Sequence, residues 1–246
     1  MERLQVVLAR FGIASRRGVI EIIESGKVEV NGQVVREKGF RINASKDTVK
    51  VDGREFSLEE SSPEKVYYLF YKPKGVMTTL QDPHAERTVA DFFKDVPARL
   101  FPVGRLDRDT TGLLLMTNDG ELSFRLTHPS FGVDKKYRVK VRGVVTEEEA
   151  KRLEKGVELE EGMTAPCVIR IEEHDKRDTI LTVVLNEGKK RQIRRIFQKI
   201  GHVVTELERF QYGPLTLGQL KPGQKRTLRS DEIKALKAAG RGKQGK

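Results

Sequence analysis

Apolar residues at Leu4, Val7, Leu8 and Phe11 follow the i, i+3, i+4, i+7 spacing of an amphipathic helix, which Gly12 ends. Ser15 stands where a second helix needs its N-cap, with Val19, Ile22 and Ile23 facing inward and Ser25-Gly26 at its close. The period then drops to two. Val28 and Val30 alternate with polar neighbours, Asn31-Gly32 turns, and Val34-Val35 returns, which predicts a hairpin. Helix, helix and hairpin make a small unit over residues 1–58. Glu59-Glu60-Ser61-Ser62-Pro63 is acidic and rich in Ser and Pro, the composition of a linker.

From Val66 the chain changes character. Val66 to Tyr71 is a β-branched and aromatic run, a central strand turned by Pro73-Lys74-Gly75. Further strands are expected around Val103 and at Leu113 to Met116, Tyr137 to Val141, Cys167 to Ile171 and Ile180 to Val184. Thr146 with Glu149 is a capping box for a helix running to Leu153, and Arg191 to Lys199 reads as another helix. Strands and helices in this order imply an α+β domain over residues 64–230, built on a large, mainly antiparallel sheet. Residues 231–246 read as a basic tail, disordered in part.

The densest polar cluster is Gly104-Arg105-Leu106-Asp107-Arg108-Asp109-Thr110. It sits just before the apolar run Leu113 to Met116, with Asn118-Asp119-Gly120 as a turn beyond. A short apolar run bounded in this way is a buried strand. The polar residues therefore lie on a loop that a rigid sheet can hold in place. Taken alone, the loop has three readings. Its aspartates cap a turn, their usual role in loops. They ligate calcium, although an EF-hand loop begun at Asp107 needs Glu where Asn118 stands. Or Asp107 is a catalytic carboxylate.

The 246 residues carry 47 Lys and Arg against 36 Asp and Glu, net +11, which favours a polyanionic partner without choosing among RNA, DNA and an anionic membrane. The excess lies at the ends. Residues 1–56 hold 11 basic against 8 acidic side chains and residues 221–246 hold 9 against 2, leaving 27 against 26 between them. This fits electrostatic grips flanking a more neutral reaction site. No apolar stretch approaches the roughly 20 residues of a membrane span, and an N-terminus with Glu2 and no apolar core does not read as a signal peptide. A single cysteine, Cys167, excludes an internal disulfide and a cysteine-based zinc site, and points to a reducing cytoplasm. Beside Pro166, Val168 and Ile169 it reads as a packing residue. His84, His128, His174 and His202 show no metal-ligand spacing, so no metal is expected.

Three blocks in order carry a resemblance. Gly104, Arg105, Leu106, Asp107, Thr110, Gly112, Leu113 to Leu115, Thr117, Asp119 and Gly120 match the Gly-Arg-Leu-Asp motif of the pseudouridine synthases. Lys135-Lys136-Tyr137-Arg138-Val139 resembles their tyrosine motif, and Asn186 to Arg195 (Asn-Glu-Gly-Lys-Lys-Arg-Gln-Ile-Arg-Arg) their basic motif. The N-terminal unit resembles the RNA-binding domain first seen in a ribosomal small-subunit protein. Together these cover the chain up to about residue 230. They resemble the family of the ribosomal small-subunit enzyme and its large-subunit relatives, above all the two-domain large-subunit type. Asp82-Pro83 with Arg87-Thr88 sides with the large-subunit branch.

The resemblance implies isomerisation of a uridine in large-subunit (23S) ribosomal RNA, with small-subunit (16S) RNA as the alternative. The N-glycosidic bond breaks, the base rotates, and it rejoins the ribose through C5, with neither cofactor nor metal. Asp107 would attack the ribose or take its 2′ proton to give a glycal. Arg194, with Arg191 as second choice, would be the buried cation beside it. Tyr137 would stack on the base, with its hydroxyl serving proton transfer at C5 or a hydrogen bond within the site. Ile193 and Leu106 would line the base pocket, and Arg105 would fill the stack vacated by the flipped base. RNA contacts would fall to Lys189, Lys190, Arg191 and Arg195, and on the small unit to Arg3, Ser15, Arg16, Arg17 and Lys27. Arg16 and Arg17 stand at a helix start, where free N–H groups favour phosphate. A monomer is expected, because the RNA supplies most of the binding surface. Two rivals remain. An assembly factor with an inert body predicts loss of the Asp or the Tyr, and both are present. A metal-dependent nuclease on Asp107, Asp109 and Asp119 needs carboxylates converging on cations about 3.5–4 Å apart, yet Asp119 lies beyond an apolar strand.

Overall fold

The computed structural model describes residues 1–246 except 57, 59–62, 175 and 242–246. They form two compact units, Met1–Lys65 and Val66–Lys246. Most of the expected linker, residues 59–62, lies outside the described residues.

In the first unit β1 (Glu2–Arg3) leads into α1 (Leu4–Arg10), followed by α2 (Arg16–Glu24). The Ser15 hydroxyl caps α2 by accepting the Gly18 N–H at 3.0 Å. β2 (Val28–Val30) and β3 (Gln33–Val34) flank the Asn31-Gly32 turn. The unit holds more strand than one hairpin. β4 (Arg41–Ile42) pairs with β1, and β5 (Val49–Val51) turns at Asp52-Gly53 into β6 (Arg54–Phe56). The result is a four-stranded sheet in the order β3-β2-β5-β6. Leu4, Val7 and Leu8 of α1 and Val19 and Ile23 of α2 share one core with Val28, Ile42 and Val49.

The second unit runs β7 (Tyr67–Lys72), β8 (Phe101–Pro102), β9 (Thr111–Thr117), α3 (Gly120–Thr127), β10 (Lys135–Arg142) and α4 (Glu147–Glu154). It continues through β11 (Glu158–Leu159), β12 (Gly162–Met163), β13 (Val168–His174), β14 (Asp178–Leu185) and α5 (Gln192–Gln198). It ends with β15 (Val204–Tyr212), β16 (Leu215–Thr216), β17 (Lys225–Thr227) and α6 (Ser230–Ala239). Among the described residues, one nine-stranded sheet follows the order β13-β14-β10-β15-β9-β7-β17, with β16 on β15 and β8 on β9. Its strand pairs are antiparallel apart from β9 with β15.

β9 explains why a continuous apolar run is needed. Leu113 and Leu115 pack on one face with Tyr67, Leu122 and Tyr212. Leu114 and Met116 pack on the other with Phe70, Val76 and Leu106. All four are wholly buried, and each such side chain stabilises the fold by about 1.5–3 kcal/mol. A third core joins β10, β14 and α5 through Val139, Leu181, Val183, Ile196 and Phe197. The capping box at Thr146 forms as expected.

Three elements differ from the sequence pattern. Asp119 does not end in a turn. It caps α3, accepting the Leu122 N–H at 3.1 Å, and takes the Tyr67 hydroxyl at 2.8 Å. Residues 230–239 are not tail but helix α6, whose Leu236 is buried with Leu122 and Leu126. The Arg226 guanidinium donates two 2.7 Å bonds to Glu232 of that helix; residues 242–246 lie outside the described residues. β15 stands in the middle of the sheet, although its sequence carries few apolar residues. No helix among the described residues is long and apolar enough to cross a membrane.

Candidate active site

The Asp107 loop is held on both sides of the carboxylate. Leu106 is buried in the core with Phe70 and Val76. The Thr78 hydroxyl donates to the Leu106 carbonyl at 2.6 Å and accepts its N–H at 3.3 Å. On the other side, the Arg108 carbonyl accepts the Gly75 N–H at 2.8 Å. The Lys72 ammonium reaches the same carbonyl at 3.4 Å and those of Val76 and Pro73 at 2.8 and 3.0 Å. Lys72 is wholly buried. Burial pulls its pKa down to about 8, against the opposing pull of Asp107 and Asp109.

The loop lies at a seam. β9, which follows it, meets β15 in parallel at two registered positions only, Glu208 with Thr111 and Arg209 with Gly112. Beyond the seam stand β10, carrying Tyr137, and the start of α5. A cleft of about 490 Å³ opens here, with Arg105, Leu106 and Asp107 on one wall and Tyr137, Arg191 and Ile193 on the other. Tyr137 is half-buried against two cores, and Arg105 is exposed.

Arg191 caps α5 with a left-handed backbone (φ 50°), an uncommon conformation for a side-chain-bearing residue that is often found at functional sites. Its Nη1 lies 3.9 Å from Asp107 and 3.7 Å from Asp109. Arg194, the arginine that the resemblance pairs with Asp107, instead approaches Asp109 at 3.9 Å and donates to the Val204 carbonyl at 2.8 Å. Burial lowers the Arg194 pKa, with Asp109 opposing; a guanidinium keeps its charge even so.

The basic motif is less free than its composition suggests. Lys189 donates to the Gly162 and Met163 carbonyls at 2.9 and 2.8 Å, and Arg195 grips Glu161 and the Lys190 carbonyl. Both hold the β11–β12 hairpin, and Lys190 and Arg191 are exposed. On the small unit the Ser15 hydroxyl is taken by its cap. Lys27 meets Asp52 at 3.4 Å in a solvent-exposed pair of little strength. Arg3, Arg16 and Arg17 are exposed, with no ion pair among the described residues. Asp119, capping α3 at the far end of β9, cannot share a metal with Asp107 as a nuclease would require. Burial raises the half-buried Cys167 thiol to about 11, which makes it a poor nucleophile at neutral pH.

Lys72 and Thr78 are the supports that sequence reasoning missed. The signal for Lys72 was a lone cation closing the apolar strand before Pro73. Lys72→Met removes the side-chain donor from the Val76 and Pro73 carbonyls, while the Arg108 carbonyl keeps the Gly75 N–H. The substitution is expected to cost about 2 kcal/mol of stability and to slow turnover at least about 10-fold through loss of loop positioning, with RNA affinity unchanged. Denaturant titration and single-turnover rates check this; a fully active variant would show that the loop stands without the ammonium.

Residues 66–199 match the family model described as RNA pseudouridylate synthase, and residues 2–49 match the S4 domain. A Bacillus subtilis protein named ribosomal large subunit pseudouridine synthase B is 46% identical over 97% of this chain and 96% of its own length. A Vibrio cholerae protein of the same name is 40% identical over 90% of this chain and 69% of its own. A crystal structure of a pseudouridylate synthase covers 96% of this chain and 100% of its own at 29% identity, with a TM-score of 0.69. The chain belongs to the RNA pseudouridylate synthase family, isomerases of uridine in RNA, and carries an S4 domain before its catalytic body.

Proposed function

We propose that this enzyme converts one uridine of large-subunit ribosomal RNA to pseudouridine, with Asp107 opening the reaction at the ribose. The observation that carries this reading is the convergence of Asp107, Tyr137, Ile193 and Arg191 on one cleft from both sides of the seam. The names of the Bacillus and Vibrio relatives support the large-subunit substrate.

The target base leaves its stack at a cost of a few kcal/mol, and Arg105, exposed at the cleft mouth, takes its place. Ile193 and Leu106 bound the base and Tyr137 stacks on it. Asp107 either attacks C1′ or removes the 2′ proton, and the glycosidic bond breaks. Arg191 faces Asp107 and Asp109 across the cleft at 3.9 and 3.7 Å, and Arg194 reaches the same loop at Asp109. The base rotates and rejoins through C5, and the C5 proton passes on by way of the Tyr137 hydroxyl or water. No redox change and no net hydrolysis occur, so the steps require neither cofactor nor metal. The enzyme works as a monomer in the cytoplasm.

The test is pseudouridine mapping of ribosomal RNA from cells lacking the gene, then restored with wild type or Asp107→Asn. One modification lost from large-subunit RNA and rescued by wild type alone supports the reading. A loss on small-subunit RNA moves the substrate, and no loss on either leaves an RNA-binding assembly factor.

The small unit is expected to grip phosphate through Arg16 and Arg17 at the start of α2. Arg16→Gln with Arg17→Gln should weaken RNA binding and flatten the dependence of log affinity on log salt by about 1.5, the release of counterions from two phosphates. An unchanged slope would place the RNA elsewhere.

A further inference from the structure

Two buried cations in the cleft have no part in the mechanism above. Arg209 is 2% exposed, lies directly across the β10–β15 ladder from Tyr137, and belongs to the cleft wall. Its Nε donates to the Leu113 carbonyl at 2.8 Å and its guanidinium carbon sits 4.9 Å from the Tyr212 ring centre. Its Nη2 is buried with no hydrogen-bond partner, and no carboxylate among the described residues forms an ion pair with it. Lys135, two residues before Tyr137 and also in the wall, lies 5.4 Å from the same ring. It bonds only main-chain carbonyls, Val133 at 3.2 Å and Asn186 at 3.5 Å. Of the acids that act on Lys135, Asp134 is exposed and Glu187 is occupied by the Ala165 N–H and the Gln192 amide at 2.9 and 2.6 Å.

A buried cation with an unused donor and no counter-charge is costly. Such a group is retained where negative charge arrives or develops. In this reaction, negative charge develops on the base. When the C1′–N1 bond breaks, its electron pair leaves with the uracil, as an anion spread over N1, O2 and O4. Recombination through C5 returns a pair to C1′, and the C5 proton ends on the base nitrogen, so atoms and charge balance. We propose that Arg209, with Lys135 beside it, is a catalytic oxyanion site for the departing uracil, donating from Nη2 to a base carbonyl and holding the freed base through its rotation. This rests on the pseudouridine-forming activity and adds a residue pair outside the three motifs' central positions.

The test uses the full-length protein and a transcript bearing either uridine or 5-fluorouridine at the target. Fluorine withdraws electrons and makes the departing base a more stable anion, so it needs less help. Single-turnover loss of the parent nucleoside reports glycosidic cleavage. Arg209→Met is expected to slow cleavage of the uridine transcript about 100-fold, the usual effect of removing one oxyanion donor, and that of the fluorinated transcript less than about 10-fold, with RNA affinity unchanged. Arg209→Lys, which keeps the charge, should recover part of the rate. If Arg209→Met does not fold, Lys135→Met carries the same comparison with a smaller difference. Equal losses on both transcripts mean a structural role, and a loss expressed in affinity means a phosphate grip; either overturns the proposal. Wild type inactive on every ribosomal transcript would instead overturn the underlying activity, and the proposal with it.

Discussion

Asp107→Asn is expected to lower turnover by at least about 1,000-fold, the scale of losing a nucleophile or base that acts as part of a unit, and to leave the fold and RNA affinity almost untouched. Asparagine keeps the shape of the side chain and loses the charge. The Asp107 side chain is 37% exposed and its contact to Arg191 is 3.9 Å long, too loose to contribute much stability. Arg191 is not orphaned by the change, because Asp109 stays within 3.7 Å. Thermal midpoint and RNA dissociation constant should match wild type, while single-turnover isomerisation vanishes. A variant that keeps its rate would move the chemistry to another group, and one that loses affinity in proportion would make Asp107 a binding residue.

The pattern of apolar positions shows through where one rule governs an element. Leu113 to Met116 is legible because both faces of β9 are buried and every position must be apolar. The Asn31-Gly32 hairpin is legible because its strands alternate. The Asp52-Gly53 hairpin carries the same turn signal, but its strands are three residues long and hold Lys50, Arg54 and Glu55, so periodicity has too little to register. β15 hides for a related reason. Thr205, Glu206, Glu208, Arg209 and Gln211 outnumber its apolar residues, and the register shift opposite Lys136 and Tyr137 leaves Phe210 without a partner and breaks the alternation. Its place in the sheet is set by long-range pairing with β9 and β10. Asp107, Tyr137, Arg191 and Ile193 line one cleft, but it is Arg191, from a left-handed backbone, and not Arg194 that comes within 4 Å of Asp107. Spacing along a helix cannot reveal that.

The seam between β9 and β15 is where the two halves of the site are registered, and Gly112 is what lets them meet. Its φ is +112°, a value side-chain-bearing residues rarely adopt, and an added Cβ would lie 2.3 Å from the Arg209 carbonyl oxygen and 2.6 Å from its nitrogen. Those are backbone atoms inside a sheet and cannot swing aside. Gly112→Ala is therefore expected to cost at least about 3 kcal/mol, combining backbone strain with overpacking, and to lower the thermal midpoint by about 10 °C for a domain of this size. Gly201→Ala is the control, because its φ is +84° but nothing lies within 4 Å of its added Cβ; it should cost only about 1 kcal/mol. The two variants separate the backbone conformation from the clash. Activity should part them further. Spreading the seam by a fraction of an ångström moves the Asp107 loop away from Tyr137 and Arg191, and at a temperature where the protein is still folded Gly112→Ala should be about 100-fold slower. Gly201→Ala should keep its rate. Equal midpoints for the two variants would mean that the strands part without cost at Arg209, and a fast Gly112→Ala enzyme would mean that the halves of the site need not be registered through this contact.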